Sequence, residues 1–368
     1  MMTCDRQTAI RIFGASLVHL AAVLPLTASP RSDLCAQLPK DPRCLRILTR
    51  YVGARSEAED YVPYRLLSPN GQRYAYVKSG EANGGQLLVT GSFEPREEET
   101  IHGGTDLGDA GEYWLSWPDW SADNRTLTYA VNTRAREHPT TSVILHDTRT
   151  ARATEILRET GVVHTIRFSS DGTRLAFLLN QAGSTVRCKV YDIAGEEVVY
   201  SSPAYRVSHD VHAAPSWADT ANEGSFVTDT HALCFNVDEG RSKRLRPAST
   251  YGSRRALVQH VSQGRRIAYA FPLGHPRGVF VYDLNTQQGA LVIRGSPVAL
   301  AWSPDGRFLL AMLWGPSSRR IDRLLPAISG GHWARFVHEV WGFDTRSGKT
   351  FKLKLTDRVR EALLRWQR

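Results

Sequence analysis

Lysine is scarce in this chain. Lys40, Lys78, Lys189, Lys243, Lys349, Lys352 and Lys354 are the whole complement, although Lys and Arg together number 46. The formal charge of +9 is therefore carried by arginine. Those arginines are spread along the sequence and not gathered into one run. The densest basic group, Arg241, Lys243, Arg244 and Arg246, reads as a solvated loop, so nucleic acid is not expected as a partner. Signature motifs are also missing. There is no Cys-x-x-Cys, no glycine-rich phosphate loop, no calcium loop and no Gly-x-Ser-x-Gly nucleophile turn. Their absence removes the usual sequence grounds for redox, nucleotide-dependent or α/β-hydrolase chemistry, and no cofactor is expected. Beyond the first thirty residues no apolar run is long enough to suggest an integral membrane span.

Turn-forming residues are plentiful and they recur in one setting. Leu300 to Met312 contains Trp302-Ser303-Pro304-Asp305-Gly306-Arg307-Phe308, a short strand, a polar turn and a second apolar strand. That is the pattern of a β-hairpin. Phe168-Ser169-Ser170-Asp171-Gly172-Thr173-Arg174-Leu175 repeats it, and Leu67-Ser68-Pro69-Asn70-Gly71-Gln72-Arg73-Tyr74 is another copy. Trp120-Ser121-Ala122-Asp123-Asn124-Arg125 carries Asn where the others have Gly, at a left-handed position that Asn tolerates. Degraded copies surround Gly264 and Gly224. With the turn residue as marker the copies fall at 71, 124, 172, 224, 264 and 306.

A second marker follows most hairpins, an apolar strand ending in Asp. It is seen at Val143 to Asp147, Lys189 to Asp192, Phe235 to Asp238, Val279 to Asp283 and Val340 to Asp344. A turn and a fourth strand come next, as in Ala290 to Ile293 and Thr350 to Leu353. The unit therefore has four strands and recurs every ~40 to 50 residues, the spacing of propeller blades. The fold class expected is all-β, a propeller of six four-stranded blades. Trp120, Phe168 and Trp302 share one repeat position and are assigned to packing between blades.

The Trp-Ser-Pro-Asp-Gly-Arg hairpin followed by a strand ending in Asp resembles the β-propeller repeats of the TolB family, over about Val62 to Leu355. The same repeats occur in the propeller domains of prolyl-oligopeptidase-type enzymes. The resemblance implies a WD40-like ring and, by analogy with TolB, binding of a protein, peptide or cell-envelope component at one face. It does not extend to the α/β domain that precedes the propeller in TolB, for which the sequence before residue 62 offers no room. Unrelated activities share this scaffold, so the function it implies is an expectation only.

Outside the repeats, Arg6 and Arg11 precede an apolar stretch from Ile12 to Leu26, with small residues Ala28 and Ser29 behind it. This is the layout of a secretory signal peptide spanning 1–28, and it places the protein in the periplasm or outside the cell. Residues 29–61 form an N-terminal extension in which Cys35 and Cys44 can close a loop in an oxidising compartment. The propeller spans 62–355. The segment 356–368 has Val359, Leu363 and Leu364 at helical spacing and is expected to form a short C-terminal helix. Two long excursions, 93–112 and 315–333, are candidates for functional loops. Cys188 and Cys234 read as small apolar residues at equivalent points of neighbouring blades.

The richest polar group is His209-Asp210-Val211-His212, followed by Trp217, in the blade whose repeat is most degraded. A position that leaves its consensus has often been released for a local purpose. These residues, with His260 and Trp114, form the candidate binding set, and either Trp114 or Trp117 is expected to face the channel. His-x-x-His beside Asp can seed a metal site, but no third ligand is fixed and no metal is assigned. His164 shows no recognisable partner in the sequence. The function expected is binding of a protein or peptide. The alternative is a propeller enzyme of lyase or hydrolase type acting on a saccharide or small substrate in the channel, with His209, His212 and His260 near it.

Overall fold

The computed structural model describes Leu34 and residues 66–79, 86–92, 97–102, 113–133, 138–182, 184–208, 210–246, 257–261, 265–271, 276–314 and 338–353. The segment 1–28 expected to be a signal peptide, Cys35 and Cys44, the 315–333 excursion, most of the 93–112 excursion and the segment 356–368 expected to be a helix lie outside the described residues. From residue 66 onward all described elements are strands, arranged in six antiparallel sheets. The first sheet runs β1 (Leu66–Leu67), β2 (Arg73–Ser79), β3 (Gln86–Ser92) and β4 (Glu97–His102). In the second, β5 (Tyr113–Leu115) and β6 (Asp119–Trp120) both pair with β7 (Thr126–Thr133), followed by β8 (Thr140–Asp147) and β9 (Arg152–Thr160). The third holds β10 (Val162–Phe168), β11 (Arg174–Gln181), β12 (Thr185–Asp192) and β13 (Glu197–Ser201), with β14 (Tyr205–Arg206) beside β12. The fourth comprises β15 (Ser216–Trp217), β16 (Glu223–Val227), β17 (Ala232–Asn236) and β18 (Arg241–Arg244). The fifth is β19 (Leu257–Val261), β20 (Arg266–Ala270), β21 (Gly278–Asp283) and β22 (Gln288–Arg294). The sixth is β23 (Ser296–Trp302), β24 (Phe308–Trp314), β25 (His338–Asp344) and β26 (Lys349–Leu353). The first strand of each sheet is its inner edge.

The middle strands are buried on both faces, which is why they read as continuous apolar runs and not as alternations. Leu175, Ala176, Phe177, Leu178 and Leu179 are all buried. Leu175, Phe177 and Leu179 join the second sheet's Ala130 and Val143. Ala176 and Leu178 turn the other way, into a cluster shared with Phe226 and Leu233 of the fourth sheet and Tyr269 of the fifth. Burying a side chain such as Leu178 stabilises by roughly 1.5–3 kcal/mol. Phe308, Leu310 and Val340 of the sixth sheet share a buried cluster with Leu34.

The repeated hairpin turn has a chemical reason for each of its residues. Ser169 Oγ donates to Asp171 Oδ1 at 2.6 Å and accepts the Arg174 amide at 2.9 Å. Asp171 Oδ1 also accepts the Thr173 amide, and the Gly172 amide donates to the Ser169 carbonyl. Ser68, Ser121 and Ser303 repeat this network with Asn70, Asp123 and Asp305. The third turn residue must then take a positive φ, which Gly172 (75°), Gly71 (72°), Gly306 (64°) and Asn124 (63°) supply. The strand-ending acids act in the same way on the next turn. Asp147 and Asp283 each accept two turn amides, and Asp192 accepts that of Gly195.

The fourth sheet departs from this scheme at both markers. Gly224 is not a turn residue but lies within β16, paired with Phe235. A Cβ there would fall 2.4 Å from the Phe235 ring, so Gly is required by close approach. The strand-ending acceptor is Asn236, which takes the Glu239 amide, whereas Asp238 is an exposed turn residue beyond it. Cys234 therefore lies two residues before its marker and Cys188 four before Asp192, so the two are not equivalent points as the spacing to Asp238 suggests. Both are free thiols, Cys188 fully buried in the core cluster and Cys234 packed at its margin.

Neighbouring sheets are joined at their inner edges by buried carboxamides. Asn132 on β7 accepts the Val163 amide at 2.9 Å through Oδ1 and donates to the Val163 carbonyl at 2.9 Å through Nδ2. One repeat later, Asn180 on β11 treats Val211 identically, at 2.8 and 3.1 Å. Asp119 accepts from Arg167 and from the Phe168 amide, and Thr165 Oγ1 donates to the Ala213 carbonyl. Replacing Asn180 by Ala leaves the Val211 amide and carbonyl buried without these partners. We expect Asn180→Ala to lower stability by about 2–4 kcal/mol, read as a lower denaturant midpoint at unchanged slope; an effect under ~1 kcal/mol would contradict the clamp.

Candidate binding site on the inner strands

The inner strand of the second sheet is interrupted. Pro118 separates Trp117 from β6, so β5 and β6 are short separate pieces. The break leaves Trp117 to bridge sideways: its amide donates to the His164 carbonyl at 2.9 Å, in a parallel bridge with Thr165 of β10. The fourth sheet is interrupted more severely. From Asp210 the chain carries no ladder pairing until β15: Pro215 supplies no amide and Asn180 occupies the backbone groups of Val211.

These interruptions bring three sheets together at one place. The rings of His164 and His212 stack with centroids 3.8 Å apart and planes 10° from parallel. Asp210 Oδ2 lies 3.9 Å from His164 Nε2, a charge contact beyond hydrogen-bond length. The His164 side chain is 16% exposed and that of Asp210 is 64% exposed. Trp117 is 42% exposed and is the exposed large hydrophobic residue among those described.

Burial pushes the His164 pKa down to about 4; the neighbouring charge of His212 acts in the same direction and Asp210 opposes both. His164 is therefore neutral at pH 7, which a face-to-face imidazole stack requires of at least one ring. Its buried Nε2 has no hydrogen-bond partner among the described residues. Among the described residues no group of three His, Cys, Asp or Glu is placed to hold a metal ion.

The sequence candidates divide as follows. Asp210 and His212 meet at the stack. His209 lies outside the described residues. His260 is on β19, its backbone paired with Ile267, and its side chain lies outside the described part. Trp217 is a packing residue at the junction of the third and fourth sheets: its Nε1 donates to the Arg167 carbonyl and its ring meets Phe235 edge-on. Trp114 is half-buried on β5, where its carbonyl accepts from Asn132. His164 was not recognisable as a partner of His212 by local spacing. The signal for it is the repeat itself, because His164 and His212 stand one repeat length apart, each following the valine whose amide a carboxamide of the preceding sheet holds.

No protein-family model matches the sequence, and no curated protein matches it. Solved structures do. The β-propeller domain of the Trilobed protease from Pyrococcus furiosus aligns at 11% identity over 81% of this chain and 84% of that one, with a TM-score of 0.50. The C-terminal WD40 domain of Sif2 aligns at 10% identity over 79% and 71%, with a TM-score of 0.50. TolB from Acinetobacter baumannii aligns at 16% identity over 83% of this chain, with a TM-score of 0.44, and the chain spans 66% of TolB's length. The chain is a β-propeller of the architecture shared by the WD40 domain and the protease propeller domain. The fold is common to proteases and WD40 domains, so it does not choose an activity.

The stack makes a pH prediction. Between about pH 6.5 and 4 the unfolded chain binds a proton at residue 164 that the folded chain excludes, so stability falls as pH falls through this window. The full loss is at most about 3 kcal/mol. Denaturant midpoints at neutral and mildly acidic pH should converge in His164→Asn relative to the parent chain; an equal acid sensitivity in both would show that His164 is not held neutral.

Proposed function

We propose that this propeller is an exported binding protein that takes a protein or peptide partner on the inner-strand surface formed by Trp117, His164, Asp210 and His212. The observation that carries the reading is the exposure of Trp117. The repeat aromatics Trp120, Phe168 and Trp302 are buried, while Trp117 is held by its own backbone bridge with its side chain 42% exposed. An indole presented this way on a rigid element suits the centre of a protein interface, where Trp is enriched and contributes strongly. The stacked imidazoles and Asp210 supply polar contacts around it.

Export rests on the leader-like segment 1–28, and no described helix is long and apolar enough to cross a membrane. Mass analysis of the mature chain from a native-type host is expected to show cleavage near Ala28; an intact Met1 terminus in the cytoplasmic fraction would remove the export half of the proposal. For the binding half, a photo-crosslinking amino acid is placed at position 117 and, as control, at exposed Arg149 on a turn of the second sheet. Capture of a defined protein or peptide from envelope fractions at 117 but not at 149 is expected. Trp117→Ala should weaken binding of the captured partner at least tenfold, about 1.4 kcal/mol or more. Equal labelling at both positions, or no capture at 117, would count against the reading.

A further inference from the structure

Two outer strands differ from the rest in charge. Arg241, Lys243 and Arg244, read from the sequence as part of a solvated loop, instead form most of strand β18, and all three are exposed. On β4, Glu97, Glu98 and Glu99 are exposed in succession. The other outer strands, β9, β13, β22 and β26, mix signs or carry no more than two charges. β4 ends the first sheet and β18 the fourth, so among the described residues no further strand pairs with either outer edge. Each edge leaves a row of backbone groups open to another strand. The contacts these charges make within the chain are light. Glu98 accepts from the Tyr74 and Tyr76 hydroxyls, Arg241 reaches Glu239 on the adjoining turn with its side chain 75% exposed, Lys243 donates to Gln287, and Arg244 lies over the Tyr205 ring. Exposed pairs of this kind are weak and readily exchanged.

We propose that these two edges join copies of this chain head to tail, β4 of one molecule pairing antiparallel with β18 of the next. Side chains two residues apart on a strand share a face, so Glu97 and Glu99 form one pair of charges and Arg241 and Lys243 another at the same spacing. Antiparallel pairing sets Glu97 opposite Lys243 and Glu99 opposite Arg241. Two β4 edges would instead oppose glutamates, and two β18 edges would oppose cations, arrangements that like charges directly across a ladder destabilise. The charges that keep like edges apart thus direct unlike edges together. The first and fourth sheets stand three apart in the succession of six, so a molecule engaged through β4 still presents β18. The contact is heterologous and does not close on itself. It uses outer strands and leaves the inner-strand surface open.

Sedimentation velocity of the full chain over a range of concentrations tests the contact. At low salt the parent should self-associate and form species beyond a dimer as concentration rises. Added salt should weaken this association, although in a chain of net charge +9 salt that only screened overall repulsion would strengthen it. The double variants Glu97→Lys with Glu99→Lys, and Arg241→Glu with Lys243→Glu, should each associate at least about tenfold more weakly than the parent. An equimolar mixture of the two variants should associate again, since each then meets an edge of opposite sign on the other. Recovery in the mixture also shows that neither variant lost its fold. The proposal is overturned if the parent stays monomeric at low salt, if it stops at a dimer, if either variant associates as the parent does, or if the mixture fails to recover.

Discussion

The structure depends on how the inner edge of each sheet is closed. A strand at a sheet edge presents amides and carbonyls with no ladder partner, and here those edges face one another. The answer at the second and third sheets is a buried carboxamide. Asn132 and Asn180 each offer one acceptor and one donor to a single residue of the next inner strand, imitating the pairing a further strand would give. A side chain that supplies both halves of a backbone pair also fixes the register between sheets. Thr141 adds to the first of these clamps with one hydroxyl proton shared between Asn132 Oδ1 and the Gly161 carbonyl. Because the clamps hold Val163 and Val211, the segments next to those residues are positioned without needing a continuous ladder.

That freedom is what the candidate site uses. Residues 210–215 carry no ladder pairing and yet are placed well enough to stack His212 on His164. A regular strand in their place would alternate its side chains between faces, and Asp210 and His212 would be fixed by that alternation instead. Likewise Pro118 interrupts the second sheet's inner strand and leaves Trp117 to bond across to β10. Loss of the repeat consensus and gain of the polar cluster are thus one structural event.

The fold was legible in the sequence because its turns are chemically demanding. Ser169, Asp171 and Gly172 each have a separate task in one network, so the same letters return wherever that network returns. The fourth sheet was misread where those tasks pass to other residues: Asn236 took the place assigned to Asp238, and Gly224 marked a tight approach to Phe235 and not a turn. Of the site, Asp210 and His212 were visible as a local concentration of polar residues. Trp217, equally conspicuous, proved to be held between sheets by Arg167 and Phe235. His164 was invisible to any window of local sequence, since its partner is on another sheet and its neighbours Val163 and Thr165 are ordinary strand residues. Asn132 and Asn180 escaped notice for a different reason: a polar residue at the end of an apolar strand resembles the beginning of a turn.

Ser116, His164 and His212 occupy corresponding places in three successive copies of one motif, and Trp117 and Thr165 fill the place that follows, so the chemistry changes from copy to copy. Duplicated modules keep such places in alignment without dictating what fills them. Variation along this single row can therefore retune recognition while the serine–aspartate turns and the carboxamide clamps stay untouched, so that a new specificity on this wheel need not begin with a weaker scaffold.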